Sequence, residues 1–334
     1  VSQLRILIIR PDRIGDVVLS TPLPREIKRK YPDSFVGVLV RNYTKDVYYN
    51  NPFVDEIIIY DETIPLFNLA KLLRTYRFTH SLNLLPTEKI NWAIFLSGIR
   101  YKIGVGHKFY QFLTNTKSVY RRKYIPLKHE VEYCLDMIRK LNIEPASRDP
   151  EIYLTEDEKI ERDRIRKQFS SNGKFIIGIN STHGNSAPNI KSGEYRKLAD
   201  KLSEYKVKII VTDLNPPDEL MNIPDAEYPN INSNLRSSII IFSTLDLLIS
   251  ASTGPMHVAA ALKVNTLSLF CPLPGASPEL WGPLGNKSII ILPQNNFCGT
   301  GCSANPKNCW FEGTGGINAE IIFKEIEKII SQKI

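Results

Sequence analysis

The segment LLISASTGPMHVAAALKVNTLSLF, residues 247–270, decides the fold class, because it reads as strand, tight loop, helix and strand within 24 residues. Leu247 to Ser250 is an apolar run of strand length, and Thr266 to Phe270 is another. Between them, Ser252 and Thr253 are residues that cap helices by accepting a backbone N–H. Gly254 permits close approach of the backbone to a ligand, and Pro255 suits a first helical position that needs no N–H. Met256 follows, and His257 falls in the first turn, beside the orphan N–H groups and the positive end of the helix dipole. Such a start favours an anionic group, a diphosphate for example. An ordinary capped helix with a core histidine fits the same residues.

A second unit of this kind opens the chain. Leu4 to Ile9 (LRILII) is a continuous apolar run, as in a strand buried on both faces. It leads into Arg10-Pro-Asp-Arg-Ile-Gly-Asp16 and then a helical stretch reaching Lys30. A loop at the carboxyl edge of a parallel sheet is where open α/β sheets bind ligands. Asp16 stands near a helix start that favours its ionised form, and a carboxylate facing a cleft can act as a general base. An N-cap role for Asp16 or Asp12 is the alternative.

The alternation continues between these units. Strands are expected at Val36–Val40, Glu56–Tyr60 and Ser81–Leu84, with helices at Leu66–Thr75, Ile90–Ser97 and Glu130–Leu141. A polar stretch with two prolines, Asn142–Pro150, reads as a domain boundary. Beyond it, Thr155-Glu-Asp-Glu158 is a capping box opening a charged helix. Strands then fall at Phe175–Ile179 and Val207–Thr212, and helices at Glu194–Tyr205, Leu235–Thr244 and Ala319–Ile330. The pattern predicts parallel sheets in two domains, at 1–150 and 151–316, and a C-terminal helix within 317–334.

Composition bounds the function. The chain has 334 residues, 43% hydrophobic and 23% charged, as a globular two-domain protein should. No apolar run reaches the ~20 residues of a membrane helix, and none of the residues ahead of the first strand reads as a signal peptide. Five unevenly spaced cysteines suit a reducing compartment, hence a cytoplasmic location. The net charge of +8 is uneven: residues 1–150 hold 24 Lys/Arg and 15 Asp/Glu, a balance of +9. In residues 106–124, Lys108, Lys117, Arg121, Arg122 and Lys123 interleave with aromatic side chains, which suits an anionic lipid surface. No nucleic-acid recognition motif accompanies that charge, and the first loop lacks the Gly-x-Gly-x-x-Gly of dinucleotide binding.

RILIIRPDRIGDVVLSTPLPREIK and STGPMHVAAALKVNTLSLFCP together resemble glycosyltransferase family 9, the heptosyltransferase family of lipopolysaccharide core assembly. NPFVDEIIIYD (51–61), GIRYKIGVG (98–106), EYRKLADKL (194–202) and WGPLGN (281–286) extend the resemblance over nearly the whole chain. It implies an α/β GT-B architecture, two Rossmann-like domains with parallel sheets facing across a cleft, with the last helix crossing back to the first domain. It implies a metal-independent, inverting transfer without a cofactor. Heptose from an ADP-linked sugar is the first expectation, a UDP- or GDP-linked sugar the second. The acceptor would be a lipid-linked anionic glycan met at the inner membrane face by peripheral contact. Asp16 falls on the family's catalytic aspartate. Ser252, Thr253, Gly254, Pro255, Met256 and His257 fall on its diphosphate loop, with Thr182, His183 and Lys191 as further donor contacts. Arg10, Arg13, Lys108, Arg121, Arg122 and Lys123 are the expected acceptor contacts.

Three departures stand out. Pro188 occupies the position of a basic residue that contacts the diphosphate in the family, with Ile190 and Lys191 in place of Trp-Pro. Ser252 replaces a frequent Asp, and Asn83–Glu88 replaces a loop more often written with Asp and Gly. A weakened enzyme that binds nucleotide or glycan without transfer is therefore a third reading. Cys298-x3-Cys302-x6-Cys309 fits structural thiols, a disulfide or a metal, though a structural zinc site needs a fourth ligand and only Cys271 remains in that domain.

Overall fold

The computed structural model describes residues 3–121, 125–170, 173–182, 184–298, 302, 305 and 308–331. The chain divides into two compact units, Val1–Tyr153 and Leu154–Ile334.

The first unit has strands β1 (Arg5–Ile9), β2 (Phe35–Val40), β3 (Glu56–Ile59), β4 (His80–Asn83), β5 (Tyr101–Val105) and β6 (Lys117–Val119). Its helices are α1 (Ile14–Val18), α2 (Pro22–Lys30), α3 (Leu66–Thr75), α4 (Glu88–Leu96), α5 (Phe109–Leu113) and α6 (Glu130–Arg139). The strands pair in parallel in the order β3-β2-β1-β4-β5-β6, the doubly wound order of a dinucleotide-binding fold. Leu7 and Ile9 pack on one face with Leu69, Leu73, Ile90 and Ile94. The helix expected to run to Lys30 is two helices, because Pro22 and Pro24 favour a fresh start there.

The segment 146–151 is held to α2. Glu26 accepts from the Ala146 N–H at 2.8 Å, Arg25 donates to the carbonyls of Ser147 and Asp149, and Thr21 accepts from the Glu151 N–H. These bonds, with the Phe53–Tyr153 ring contact, carry the first unit through Tyr153.

The second unit comprises α7 (Glu156–Phe169), β7 (Phe175–Asn180), α8 (Ser192–Leu202), β8 (Val207–Val211), α9 (Leu235–Phe242), β9 (Leu247–Ala251), α10 (Gly254–Ala261), β10 (Asn265–Leu269), α11 (Pro278–Trp281), β11 (Ser288–Ile291) and α12 (Ala319–Ile330). All pairs are parallel, in the order β11-β10-β9-β7-β8. Counted from β7 this is 2-1-3-4-5, the flavodoxin-type winding. Thr155 and Glu158 close the expected capping box on α7. The last helix buries Ile322, Phe323, Ile326 and Ile330 in this unit's core beside Tyr195, Leu198 and Leu202 of α8. Its apolar face is thereby used within the second unit. No helix among the described residues is long and apolar enough to cross a membrane.

Candidate active site

Winding order places the two loops. A doubly wound sheet opens a crevice where strand order reverses, at the carboxyl ends of its strands. In the first sheet that point lies between β1 and β4, and the loop after β1 with the first turn of α1 carries Arg10 to Asp16. In the second it lies between β7 and β9, and the loop after β9 carries Ser252 and Thr253. Both motifs singled out in the sequence therefore stand at switch points.

Asp16 lies in the first turn of α1, 18% exposed, and accepts from Arg10 Nη2 at 2.5 Å. The same Nη2 donates to Glu130 Oε1 at 3.1 Å, and Arg10 Nη1 donates to the Leu84 carbonyl at 3.3 Å. Glu130 is 1% exposed at the start of α6 and also accepts both Arg121 nitrogens. Asp12 stands 3.8 Å from Arg10 Nε. Three carboxylates thus share two guanidiniums. Burial pushes the Asp16 carboxyl up from 3.8 to about 6, against Arg10, which pulls it down; Asp12 and Glu130 add to the rise. Burial also pushes the Cys134 thiol beneath this cluster up to about 12, so it stays neutral. Arg10, expected at the acceptor, is 3% exposed and committed to Asp16 and Glu130. Arg13 and Lys108 are exposed, while Arg122 and Lys123 lie outside the described residues.

In the second unit Thr253 occupies the N-cap of α10, yet its side chain makes no cap bond; the hydroxyl lies 3.4 Å from the Ala251 carbonyl instead. Pro255, inside the first turn, has no N–H to offer such a cap. The start of α10 is thus left without a side-chain cap, the condition for an anion to take that place. Gly254 and Pro255 are partly exposed, and Thr253 and His257 are 5% and 4% exposed. Met256 is fully buried and belongs to the core beneath the loop.

Asp213, which sequence reading passed over, organises the neighbouring strand end. Its fully buried carboxylate accepts the N–H and hydroxyl of Ser181 (3.1 and 2.8 Å) and of Thr182 (2.8 and 2.6 Å). Asn189 braces the same loop, donating to the Ser181 carbonyl at 2.6 Å and accepting from Tyr195 Oη at 2.8 Å. Pro188, next to Asn189 in sequence, is buried. Lys191 occupies the N-cap position of α8 without a side-chain cap bond and pairs with Glu312 at 2.7 Å, and His183 lies outside the described residues. Cys271, two residues past the end of β10, accepts from the Leu273 N–H at 3.5 Å and is a free thiol, as are Cys298, Cys302 and Cys309. Among the described residues, however, no three His, Cys, Asp or Glu side chains are arranged to hold a metal ion.

Over nearly its whole length the chain shares its fold with solved structures. A family 9 glycosyltransferase from Veillonella parvula matches at a TM-score of 0.79 and 20% identity, over 98% of this chain and 97% of that one. The Escherichia coli ADP-heptose lipopolysaccharide heptosyltransferase II matches at 0.74 and 20% identity, over 99% of each. In sequence, lipopolysaccharide heptosyltransferase 2 of Escherichia coli K12 is 23% identical over 324 residues, 86% of this chain and 88% of that one. The architecture is that of a GT-B glycosyltransferase. A family model for glycosyltransferase family 9 (heptosyltransferase) matches residues 66–305, and the chain belongs to that family.

Proposed function

We propose that this enzyme transfers heptose from an ADP-linked donor to an anionic, lipid-linked glycan of the lipopolysaccharide-core type. The observation that carries the reading is Asp16, a carboxylate at the first switch point whose pKa lies near 6. A general base works best when its pKa approaches the operating pH. Asp16 takes the proton from the acceptor hydroxyl as that oxygen attacks the anomeric carbon. The bond from that carbon to the donor phosphate oxygen breaks, the nucleoside diphosphate leaves, and the single displacement inverts the anomeric configuration. Backbone N–H groups at the start of α10, with Thr253 and His257, stabilise charge on the departing diphosphate without a metal ion. The likeness to heptosyltransferases, one of them described as using ADP-heptose, supports the choice of donor. The positive balance of residues 1–150 supports an anionic acceptor, and exposed Lys108 and Arg13 are its candidate contacts.

Asp16→Asn tests the proposal. Transfer should fall by about 10²–10⁴-fold, while donor affinity measured by calorimetry stays within a few-fold. Turnover retained by the variant would refute the role of Asp16.

A second reading keeps binding and loses transfer. It rests on the burial of Pro188 at a family basic position and on the pairing of Lys191 with Glu312. Donor binding without product, across all donors and acceptors, would select it.

A further inference from the structure

Between Glu88 and Glu130 the sequence carries nine Lys/Arg and no Asp or Glu. Within that stretch, α5 exposes Phe109 (77%), Phe112 (81%) and Leu113 (49%). The spacing i, i+3, i+4 sets all three on one helical face. Single exposed apolar side chains are ordinary, whereas three on one face of a five-residue helix form a patch.

The opposite side of α5 is firmly held. Gln111 is 1% exposed; its Nε2 donates to the Val105 carbonyl at 3.1 Å and its Oε1 accepts from the Lys108 N–H at 2.8 Å. Tyr110 Oη donates to the Pro86 carbonyl at 2.7 Å. Thr114 is fully buried and accepts from Asn91 Nδ2 at 2.5 Å. A network of buried polar groups therefore fixes a short helix whose outer face is phenylalanine and leucine. Tyr120, 59% exposed, stands beside this helix start, its ring 5.8 Å from that of His107. Lys108 and Lys117, both exposed, flank the patch. The start of α5 and the end of β6 follow strand ends on the sheet edge that also carries Asp16.

We infer that α5 is a docking wedge for an anionic bilayer: Phe109, Phe112 and Leu113 enter the headgroup–acyl boundary while Lys108 and Lys117 engage anionic headgroups. Charge selects the occupant. A patch flanked in sequence by exposed Lys108 and Lys117, within a segment whose nine charged side chains are all basic, is matched by an anionic lipid surface. The inference rests on the proposed lipid-linked acceptor, whose hydroxyl the wedge would bring to the edge that holds Asp16.

The test is co-sedimentation of the full-length protein with vesicles of phosphatidylcholine alone or mixed with phosphatidylglycerol. Binding should require the anionic lipid. Phe109→Ser/Phe112→Ser should weaken it by about tenfold or more at unchanged salt. Both side chains are largely exposed, so this variant should keep its fold and its donor affinity. Lys108→Glu/Lys117→Glu should also weaken binding. In Phe112→Trp, lipids brominated in their acyl chains should quench fluorescence beyond the wild-type level. Three results would each overturn the inference. One is vesicle binding unaffected by the phenylalanine variant. Another is self-association without vesicles that this variant abolishes, which would make the patch a surface between copies. The third is an equal loss of transfer to a delipidated, water-soluble acceptor, which would put the phenylalanines in the acceptor pocket. Asp16→Asn should bind vesicles like the wild type, so docking and catalysis fail separately.

Discussion

A carboxylate 2.5 Å from a guanidinium ordinarily titrates below its usual range. Asp16 titrates above it because it is buried and because its guanidinium also serves Glu130. The groups facing Asp16 are Arg10 at the end of β1, Asp12 on the loop, and Glu130 and Cys134 on α6. The acid limb of kcat/KM should therefore fall near pH 6, activity dropping as Asp16 takes up its proton. Glu130→Gln removes one carboxylate that competes for Arg10 and repels Asp16, so that limb should move down by about half a unit or more. Glu130→Asp should bring it part of the way back. A limb unmoved by Glu130→Gln would show that Glu130 only packs. Stability follows with a definite sign. A carboxyl raised from 3.8 to about 6 binds more protons folded than unfolded across that window, so its contribution to stability falls as pH rises through it. Urea midpoints of Asp16→Asn should lack that fall; a slope equal to the wild type's would contradict the assignment.

Among elements, those with long apolar runs or clear caps were legible in sequence. β1, β7, β9, α7 and α12 lie within a residue or so of where LRILII, FIIGI, LLIS, the capping box and the Ile/Phe face put them. Five weaker elements were not read, the four-residue α11 among them. β5 (YKIGV) breaks its run with Lys102 and Gly104, β6 has three residues, β11 is a four-residue edge strand, and α5 shows phenylalanine outward. Of the candidate site, Asp16 and the Thr253–His257 loop could be picked out in sequence because each is a contiguous motif. Glu130, Asp213 and Asn189 were not. Glu130 meets Arg10 across 120 residues, and Asp213 meets Ser181 across 32, partnerships that exist only once the strands are wound. Asp213→Ala leaves four buried or half-buried donors unpaired and should cost about 3 kcal/mol in urea unfolding. A loss within ~0.5 kcal/mol, the range of an ordinary surface substitution, would show that the loop after β7 does not depend on this carboxylate.

At the scale of the whole molecule, charge and chemistry divide between the units. Residues 1–150 carry a balance of +9 and the buried Asp16 carboxylate, whereas residues 151–334 are close to neutral and carry the uncapped helix start. A ligand of the second unit should be recognised through its diphosphate and base. ADP at ~100 times its Kd should stabilise the protein by about 2.7 kcal/mol, a clear shift in Tm. A larger shift with UDP or GDP at matched concentration would move the donor assignment. The most direct measurement pairs two readings on one variant, ADP release from ADP-heptose in the presence of acceptor and calorimetric ADP-heptose binding, for wild type and Asp16→Asn. The account predicts that release falls by about 10²–10⁴-fold while the donor Kd holds within a few-fold. Release at the wild-type rate, from a variant that binds donor normally, would contradict it.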